Sequence, residues 1–208
     1  YAQEVLKQGW KQDVFRFQID NQLYERQATA KKIDNFSERL PAPQSELARE
    51  TIKDPYIFDF LDVDGDAHER RIESELVDRV TQFLLEMGKG FAFIGKQYHL
   101  EVGGDDFYID LLCYNVRLHA YTVLEIKNRA FKPADSGQLN FYLSVVDDQL
   151  KTEGDNPSIG LILCKDKNNI VAEYALRGMS QPIGVSKFEL SPTIPEELRD
   201  SLPTLEEV

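Results

Sequence analysis

Cysteine is scarce in this chain, and long hydrophobic runs are absent. The 208 residues include two cysteines, Cys113 and Cys164, which lie in separate apolar runs and form no CxxC pair. This spacing argues against a disulfide or a zinc site, and it predicts buried free thiols in a reducing cytoplasm. No apolar run approaches the roughly 20 residues that cross a bilayer, and no charged-then-apolar leader opens the sequence. We therefore expect a soluble, cytoplasmic protein without a membrane partner.

Positive charge is also in short supply, with 24 Lys and Arg residues against 36 Asp and Glu and a net charge of −12. A phosphate backbone attracts clustered bases, so this composition argues against a protein that coats nucleic acid. It does not exclude an enzyme that meets DNA through a local patch, because bases gather between Lys96 and Lys132. A solvated acidic surface with scattered bases is the alternative interpretation.

The chain divides into three parts. Residues 1–60 are predicted to be a helical segment, and its apolar residues between Trp10 and Leu23 lie on several sides of the helix. A helix of this kind needs partners, so we expect a homodimer through these helices or packing on preceding residues. Residues 61–190 are predicted to form one α/β domain, and residues 191–208 an acidic tail. The first residue, Tyr1 rather than Met, leaves open that the chain is a segment of a longer protein.

The acidic stretch from Asp62 to Asp66 resembles the start of a calcium loop, with Glu73 at its twelfth position. Ala67 replaces the glycine that the sharp turn of such a loop requires, and no second loop accompanies it. We favour a capping box in which Asp66 and Glu69 begin a helix that continues to Met87. Beyond Met87, the patterns predict a strand from Phe91 to Val102, two further strands, a helix from Pro133, a strand at Ile159, a helix at Ile170 and a strand at Ile183.

Two of these strands place acidic and basic side chains together. Side chains alternate along a strand, so Glu125 and Lys127 share one face of the second strand. A tight connection over residues 115–118 makes the two strands a hairpin and brings Asp110 close to Glu125. Carboxylates at these positions suit Mg²⁺ or Mn²⁺, and Lys127 suits the stabilisation of charge on a phosphoryl oxygen. An ordinary salt bridge between Lys127 and Asp110 is the alternative.

The spacing of Asp110 and Glu125-Ile126-Lys127 resembles the signature of the PD-(D/E)XK nuclease superfamily, with Ile109 in place of the proline. The strings FLLEMGKGFAFIGKQYHLEVGGDDFYIDLLCYN, GQLNFYL and LPAPQSELARETIKDPYIFDFL are similar to the YhcG family of that superfamily. The resemblance covers roughly residues 10–190. It implies a restriction-endonuclease-like αβββαβ core, an active site dependent on Mg²⁺ or Mn²⁺, and a nucleic-acid substrate, with DNA favoured over RNA.

The resemblance also implies roles for further residues. Glu73 is expected to join Asp110 and Glu125 as a metal ligand, with Lys127 beside them as a catalytic residue. Gln138 and Tyr142 match the QxxxY element of the RecB-like branch, which implies a catalytic role for Gln138 and substrate contact for Tyr142. We add Arg129 and Lys132 as substrate-binding candidates because they lie in the basic cluster. The alternatives are that Glu73 is a surface residue, that Tyr142 packs on the sheet and that Gln138 caps a helix.

Two functions therefore remain as hypotheses. The first is a metal-dependent nuclease that hydrolyses phosphodiester bonds by in-line attack of water. The second is a module that keeps the nuclease fold, cuts little, and serves in nucleic-acid binding or protein assembly. Retention of all the polar positions favours the first, because a module that does not cut has no need of them.

Overall fold

A mixed β-sheet organises the chain in the computed structural model, which describes residues 1, 5, 11–20, 22–63 and 65–190. The segment before the predicted domain contains a helix, a π-helical turn over Glu25–Thr29, two further short helices and two very short strands. The helices are α1 (Gln12–Asp20), α2 (Phe36–Arg39) and α3 (Gln44–Thr51), and the strands are β1 (Ile33–Asp34) and β2 (Tyr56–Ile57).

The remaining elements follow the predicted order. They are α4 (Glu69–Asp78), α5 (Val80–Met87), β3 (Phe91–Val102), β4 (Asp105–Asn115), β5 (Ala120–Ala130), α6 (Pro133–Gln149), β6 (Ile159–Asp166), α7 (Asn169–Arg177) and β7 (Ile183–Glu189). The α/β class and the αβββαβ core order are thereby confirmed.

The sheet has the strand order β1-β7-β6-β5-β4-β3, and β2 pairs with the end of β7. Strands β3, β4 and β5 form an antiparallel meander, whereas β5, β6 and β7 are parallel neighbours. Parallel neighbours need a crossover connection, and α6 and α7 provide the two crossovers. Strand β5 is therefore the point where the meander meets the parallel half of the sheet.

Two hydrophobic cores cover the two faces of the sheet. One packs α4 and α5, through Ile72, Leu76 and Phe83, against side chains of β4, β5 and β6. The other packs α6 and α7, through Leu139 and Leu176, against the opposite face of the same strands. Burial on both faces explains the unbroken apolar run of β6, which is typical of a parallel strand covered by helices.

Two predicted details of the helical parts are wrong. The helix expected to continue to Met87 is interrupted at Arg79, which leaves helical geometry with φ −113° and ψ 38°. The capping box is absent: α4 begins after His68, and Glu69 accepts a hydrogen bond from the backbone of Asn128. The N-terminal segment, predicted to be helical over residues 1–60, also contains β1 and β2, and pairing with β7 supplies their hydrogen bonds.

Other expectations fall outside the described residues. Trp10, Asp64 and the acidic tail from residue 191 to 208 are among them.

The domain boundary near residue 60 stays a prediction, and buried contacts cross it: Arg26 and Lys53 both pair with Glu86 of α5. Within the described ranges, no helix combines the length and apolar character needed to cross a membrane.

Candidate active site

The pairing of β4 with β5 places the two predicted acidic residues opposite each other. Leu111 pairs with Leu124, so the same register puts Asp110 across from Glu125. Around these two residues, bonds from backbone nitrogens to side-chain oxygens replace the regular backbone hydrogen bonds between the strands. The backbone nitrogen of Ile126 donates to Oδ2 of Asp110 at 2.8 Å, and that of Asp110 approaches Oε1 of Glu125 at 3.4 Å. Each carboxylate is thus tied to the opposite strand.

Lys127 lies beside both carboxylates. Its Nζ donates to Oε2 of Glu125 at 3.0 Å and is 3.7 Å from Oδ2 of Asp110. The three side chains are enclosed, with exposed fractions of 8% for Lys127, 1% for Glu125 and 14% for Asp110. The predicted alternation of β5 explains the placement, since Leu124 and Ile126 point into the opposite core. The predicted convergence of these three residues is therefore observed.

Alternation in β4 is less regular than predicted. Ile109 packs in the same core as Leu112, whereas Leu111 and Cys113 pack in the other. A continuous two-residue period would place Ile109 with Leu111, so the period shifts at Asp110. The residue across from Asp110 is Gln97 of β3, whose φ of 45° departs from strand geometry. Both strands are therefore irregular at the acidic site, and β3 has a second irregularity between Phe93 and Gly95.

Glu73 reaches the site from α4. It is buried, and its Oε2 accepts a hydrogen bond from Nε2 of Gln97 at 2.6 Å. The same nitrogen is 3.3 Å from Oδ1 of Asp110, so one amide bridges acids on a helix and a strand. The structure thus brings Glu73 into contact with the group that Asp110, Glu125 and Lys127 form, as expected.

Burial raises the pKa of each carboxyl in this group. Burial and then the charge of Asp110 raise the pKa of Glu73 to about 7 and that of Glu125 to about 8. Burial also raises the pKa of Asp110, against the opposing charge of Lys127. For Lys127, burial lowers the pKa, but Glu125 and Asp110 outweigh it and the net shift is upward. Three acids share one ammonium, so ionising all three would give the site more negative charge than Lys127 balances.

The donor set fits a hard divalent cation. Carboxylate oxygens are the ligands that Mg²⁺ and Mn²⁺ prefer, and an excess of enclosed negative charge is what a cation relieves. Within the described part of the chain, no three acidic, histidine or cysteine side chains already surround one point closely enough to hold an ion. The Gln97 amide lies between Glu73 and Asp110, and Lys127 lies between Asp110 and Glu125. A cation would have to displace these donors.

Two of the acids, Glu73 and Asp110, line a cleft of about 340 Å³ between α4 and the β3–β4 hairpin. Its walls carry Glu69, Arg70, Glu73, Gln97, Asp106, Phe107, Tyr108, Asp110 and Tyr142. Tyr142 is largely buried in the α6 core, and its hydroxyl accepts a hydrogen bond from Nε2 of Gln138 at 3.0 Å. A wider depression of about 560 Å³, between α3 and the β4–β5 turn, is lined by none of these residues.

Two of the predicted substrate-binding residues do not line the cleft. Arg129 makes two hydrogen bonds to Asp135, at 2.7 and 2.9 Å, and so supports the first turn of α6. Lys132 is exposed at the start of that helix. Arg70 and Gln97 line the cleft and were not predicted from the sequence. Arg70 could have been found from its position one turn before Glu73 on one helix. Gln97 could not, because its position depends on strand register.

Comparisons with known proteins identify a family for this chain. The family model described as the YhcG PDDEXK nuclease domain matches residues 49–203. YhcG of Escherichia coli (strain K12) is 32% identical over 200 residues, which cover 96% of this chain and 53% of that protein. The chain thus spans about half the length of this curated relative.

Two solved structures resemble part of the fold. A repair endonuclease from Pyrococcus abyssi has a TM-score of 0.42 and 14% identity, over 63% of this chain and 50% of that one. EndoMS in complex with double-stranded DNA has a TM-score of 0.43 and 16% identity, over 62% of this chain and 47% of that one. On the match of the family model over residues 49–203, this chain belongs to the YhcG PDDEXK nuclease domain family.

Proposed function

We propose that this chain is the catalytic domain of a divalent-cation-dependent nuclease that hydrolyses phosphodiester bonds in DNA. The observation that carries the proposal is the convergence of Glu73, Asp110, Glu125 and Lys127, of which Glu73 and Asp110 line an open cleft. Membership in a nuclease domain family supports it. Buried free thiols at Cys113 and Cys164 are compatible with the cytoplasmic location that we propose with it.

Glu73, Asp110 and Glu125 would hold the cation, which we propose to be Mg²⁺ or Mn²⁺. When bound, it would offset the charge of the substrate phosphate and make a nearby water more acidic. The three acids lie on two strands and one helix, so the packing of α4 on the sheet sets their spacing. That packing holds the ligands in place before the substrate arrives.

Lys127 would act as an ammonium. Its raised pKa keeps it protonated at neutral pH, so it does not accept a proton from water. Its position beside Glu125 and Asp110 suits the stabilisation of charge that develops on a phosphoryl oxygen during in-line attack. Arg70 lines the same cleft and could pair with a neighbouring phosphate. We propose that Tyr142 and Gln138, which hydrogen bond to each other, contact the substrate beside it.

A cleavage assay tests the proposal. The purified chain, with Mg²⁺ or with a chelator, would be incubated with linear, branched and single-stranded DNA and with RNA. Lys127→Ala should lower turnover by about 100-fold and leave DNA binding almost unchanged, because it removes a preorganised charge and no metal ligand. Asp110→Ala should abolish cleavage. Lys31→Ala is the control, since its side chain is 74% exposed and pairs with Glu173 at the surface.

The outcome separates the two functions. Cleavage that requires the cation, Asp110 and Lys127 supports the nuclease. If the protein binds nucleic acid but the native chain and both variants cut no substrate, a binding or assembly module is the better account.

We also propose that the chain forms a homodimer through its N-terminal helices. Ile19 of α1 and Tyr24 after it are exposed in the single chain. Contact with a second copy would remove these apolar side chains from water, which is favourable. Light scattering at micromolar concentration should give the mass of two chains. A monomer mass would contradict this part of the proposal and leave the catalytic part intact.

A further inference from the structure

Gln97 lies between two of the acids assigned to the cation, and it has no role in the proposed hydrolysis. Its Nε2 donates to Oε2 of Glu73 at 2.6 Å and to Oδ1 of Asp110 at 3.3 Å. The nitrogen therefore lies between a carboxylate oxygen of α4 and one of β4. Its hydrogen bonds occupy the lone pairs that would bind a cation, so a cation held by the same acids has to displace the amide nitrogen.

The backbone at Gln97 is unusual for a strand. Its φ of 45° lies in the left-handed region, which residues other than Gly, Asn and Asp rarely adopt. Its neighbours Lys96 and Tyr98 keep regular partners, Leu111 and Ile109, so the departure is confined to the residue that faces Asp110. Strain of this kind persists only where the surroundings impose it, and it concentrates at functional sites.

The other end of the amide is available to a ligand. The Oε1 of Gln97 accepts no hydrogen bond from any residue in the part of the chain that the structure describes. Rotation about the last side-chain bond exchanges the nitrogen and the oxygen. A carboxamide oxygen is a hard donor that suits Mg²⁺ and Mn²⁺, so one side chain can meet either bare acids or a cation.

We infer that Gln97 is a further ligand of the divalent cation through its amide oxygen, and that its amide nitrogen pairs Glu73 with Asp110 when the cation is absent. The inference rests on the cation dependence proposed above. It adds a neutral ligand from β3 to acids from α4, β4 and β5. Gln97 thereby couples the β3–β4 hairpin, which forms one wall of the cleft, to occupancy of the site.

Calorimetric titration with Mn²⁺ tests the inference without any substrate. Gln97→Ala removes both ends of the amide and should weaken Mn²⁺ binding by about tenfold or more. Gln97→Glu keeps an oxygen at the same distance and should bind Mn²⁺ at least as tightly as the native protein. Gln149→Ala is the matched control, because Gln149 is an exposed glutamine whose amide contacts Glu101 away from the acids.

A further variant separates loss of the ligand from loss of the fold. Gln97→Gly accepts the left-handed backbone without strain, so it should fold even if Gln97→Ala does not. It should show the same weakened Mn²⁺ binding. Circular dichroism spectra that match the native protein would confirm that the compared variants are folded.

The titration also distinguishes failure of this inference from failure of the proposed function. Native Mn²⁺ affinity in Gln97→Gly, alongside lost binding in Asp110→Ala, overturns the role of Gln97 alone. Tighter binding in Gln97→Gly has the same consequence, because it would make the amide a competitor of the cation and not a ligand. Native affinity in Asp110→Ala overturns the cation site and this inference with it.

Discussion

Glu125 is the most enclosed acid of the candidate site, and its enclosure has an energetic cost. Burial and the nearby charge of Asp110 raise its pKa to about 8, from the 4.5 that is usual for a glutamate. Glu73, with a pKa of about 7, shares this property. Both acids favour the protonated form in the folded protein, so a bound cation and bound protons compete for them.

The metal-free protein should therefore become more stable as the pH falls from about 8 to about 6. The unfolded chain ionises these carboxyls near pH 4.5, whereas the folded chain retains their protons up to pH 7 or 8. The stability that these protons contribute is therefore complete below the pKa of the unfolded chain. It decreases as the pH rises from that value to the pKa of the folded chain. Glu125→Gln should flatten this dependence between pH 6 and 8.5.

Melting temperatures in chelator at several pH values measure the effect. Glu173→Gln is the control, since Glu173 lies at the surface and pairs with Lys31. A melting temperature in the native protein that is flat or rises with pH over this range would contradict the predicted proton uptake by these acids.

At the scale of single residues, the sequence predicted what depends on strand periodicity. Asp110, Glu125 and Lys127 follow from the two-residue alternation and a hairpin between them. Gln97 does not, because its role depends on register between β3 and β4 and on a left-handed backbone that no residue pattern indicates. Arg129 stays a prediction as a substrate-binding residue, and proximity in sequence does not reveal that its guanidinium pairs with Asp135.

At the scale of elements, the contact between α6 and β6 holds Tyr142 against the site. Gly160 of β6 faces Leu139 and Leu143, and a Cβ there would approach their side chains to 2.6 and 2.8 Å. Gly160→Ala should lower the free energy of unfolding by about 1–3 kcal/mol, because overpacking displaces the helix. Urea denaturation monitored by circular dichroism measures this change.

Gly137→Ala is the matched control within α6. No atom lies within 4 Å of a Cβ at Gly137, so nothing opposes the helical preference of alanine. This substitution should raise the free energy of unfolding by roughly 0.5–1 kcal/mol. Equal changes in unfolding free energy for the two substitutions would show that α6 does not pack tightly against β6 at Gly160.

The helices also show where periodicity cannot decide. Ile72, Leu76, Phe83 and Met87 keep helical spacing across the interruption at Arg79. A break that preserves the buried face leaves no trace in the apolar pattern, so one long helix was predicted. Strands β1 and β2 escaped prediction for another reason: two residues are too few to show alternation, and their pairing with β7 is a long-range contact.

At the scale of the whole molecule, a buried ionic group connects the N-terminal segment to the predicted domain. Glu86 of α5 pairs with Arg26 and Lys53, and it accepts a hydrogen bond from the backbone of Ile57 at 2.9 Å. Glu86→Ala leaves two buried cations without this partner and should cost about 3–5 kcal/mol of unfolding free energy.

The partly exposed pair of Glu75 and Arg79 provides the comparison. Glu75→Ala should cost less than about 1 kcal/mol, since a surface pair contributes little. Urea denaturation applies to both variants. If Glu86→Ala and Glu75→Ala cause similarly small losses of unfolding free energy, the segment before residue 60 contributes little to the stability of the domain. That result would contradict the connection described here.

The central claim is that Glu73, Asp110 and Glu125 form one divalent-cation site, and crystals soaked in Mn²⁺ test it most directly. Anomalous scattering locates Mn²⁺ independently of any assay of activity. We predict a peak bounded by these three carboxylates, with Gln97 Nε2 no longer bridging Glu73 and Asp110. A peak confined to the loop from Asp62 to Asp66, or no peak at the carboxylates in crystals that bind Mn²⁺ elsewhere, would contradict the claim.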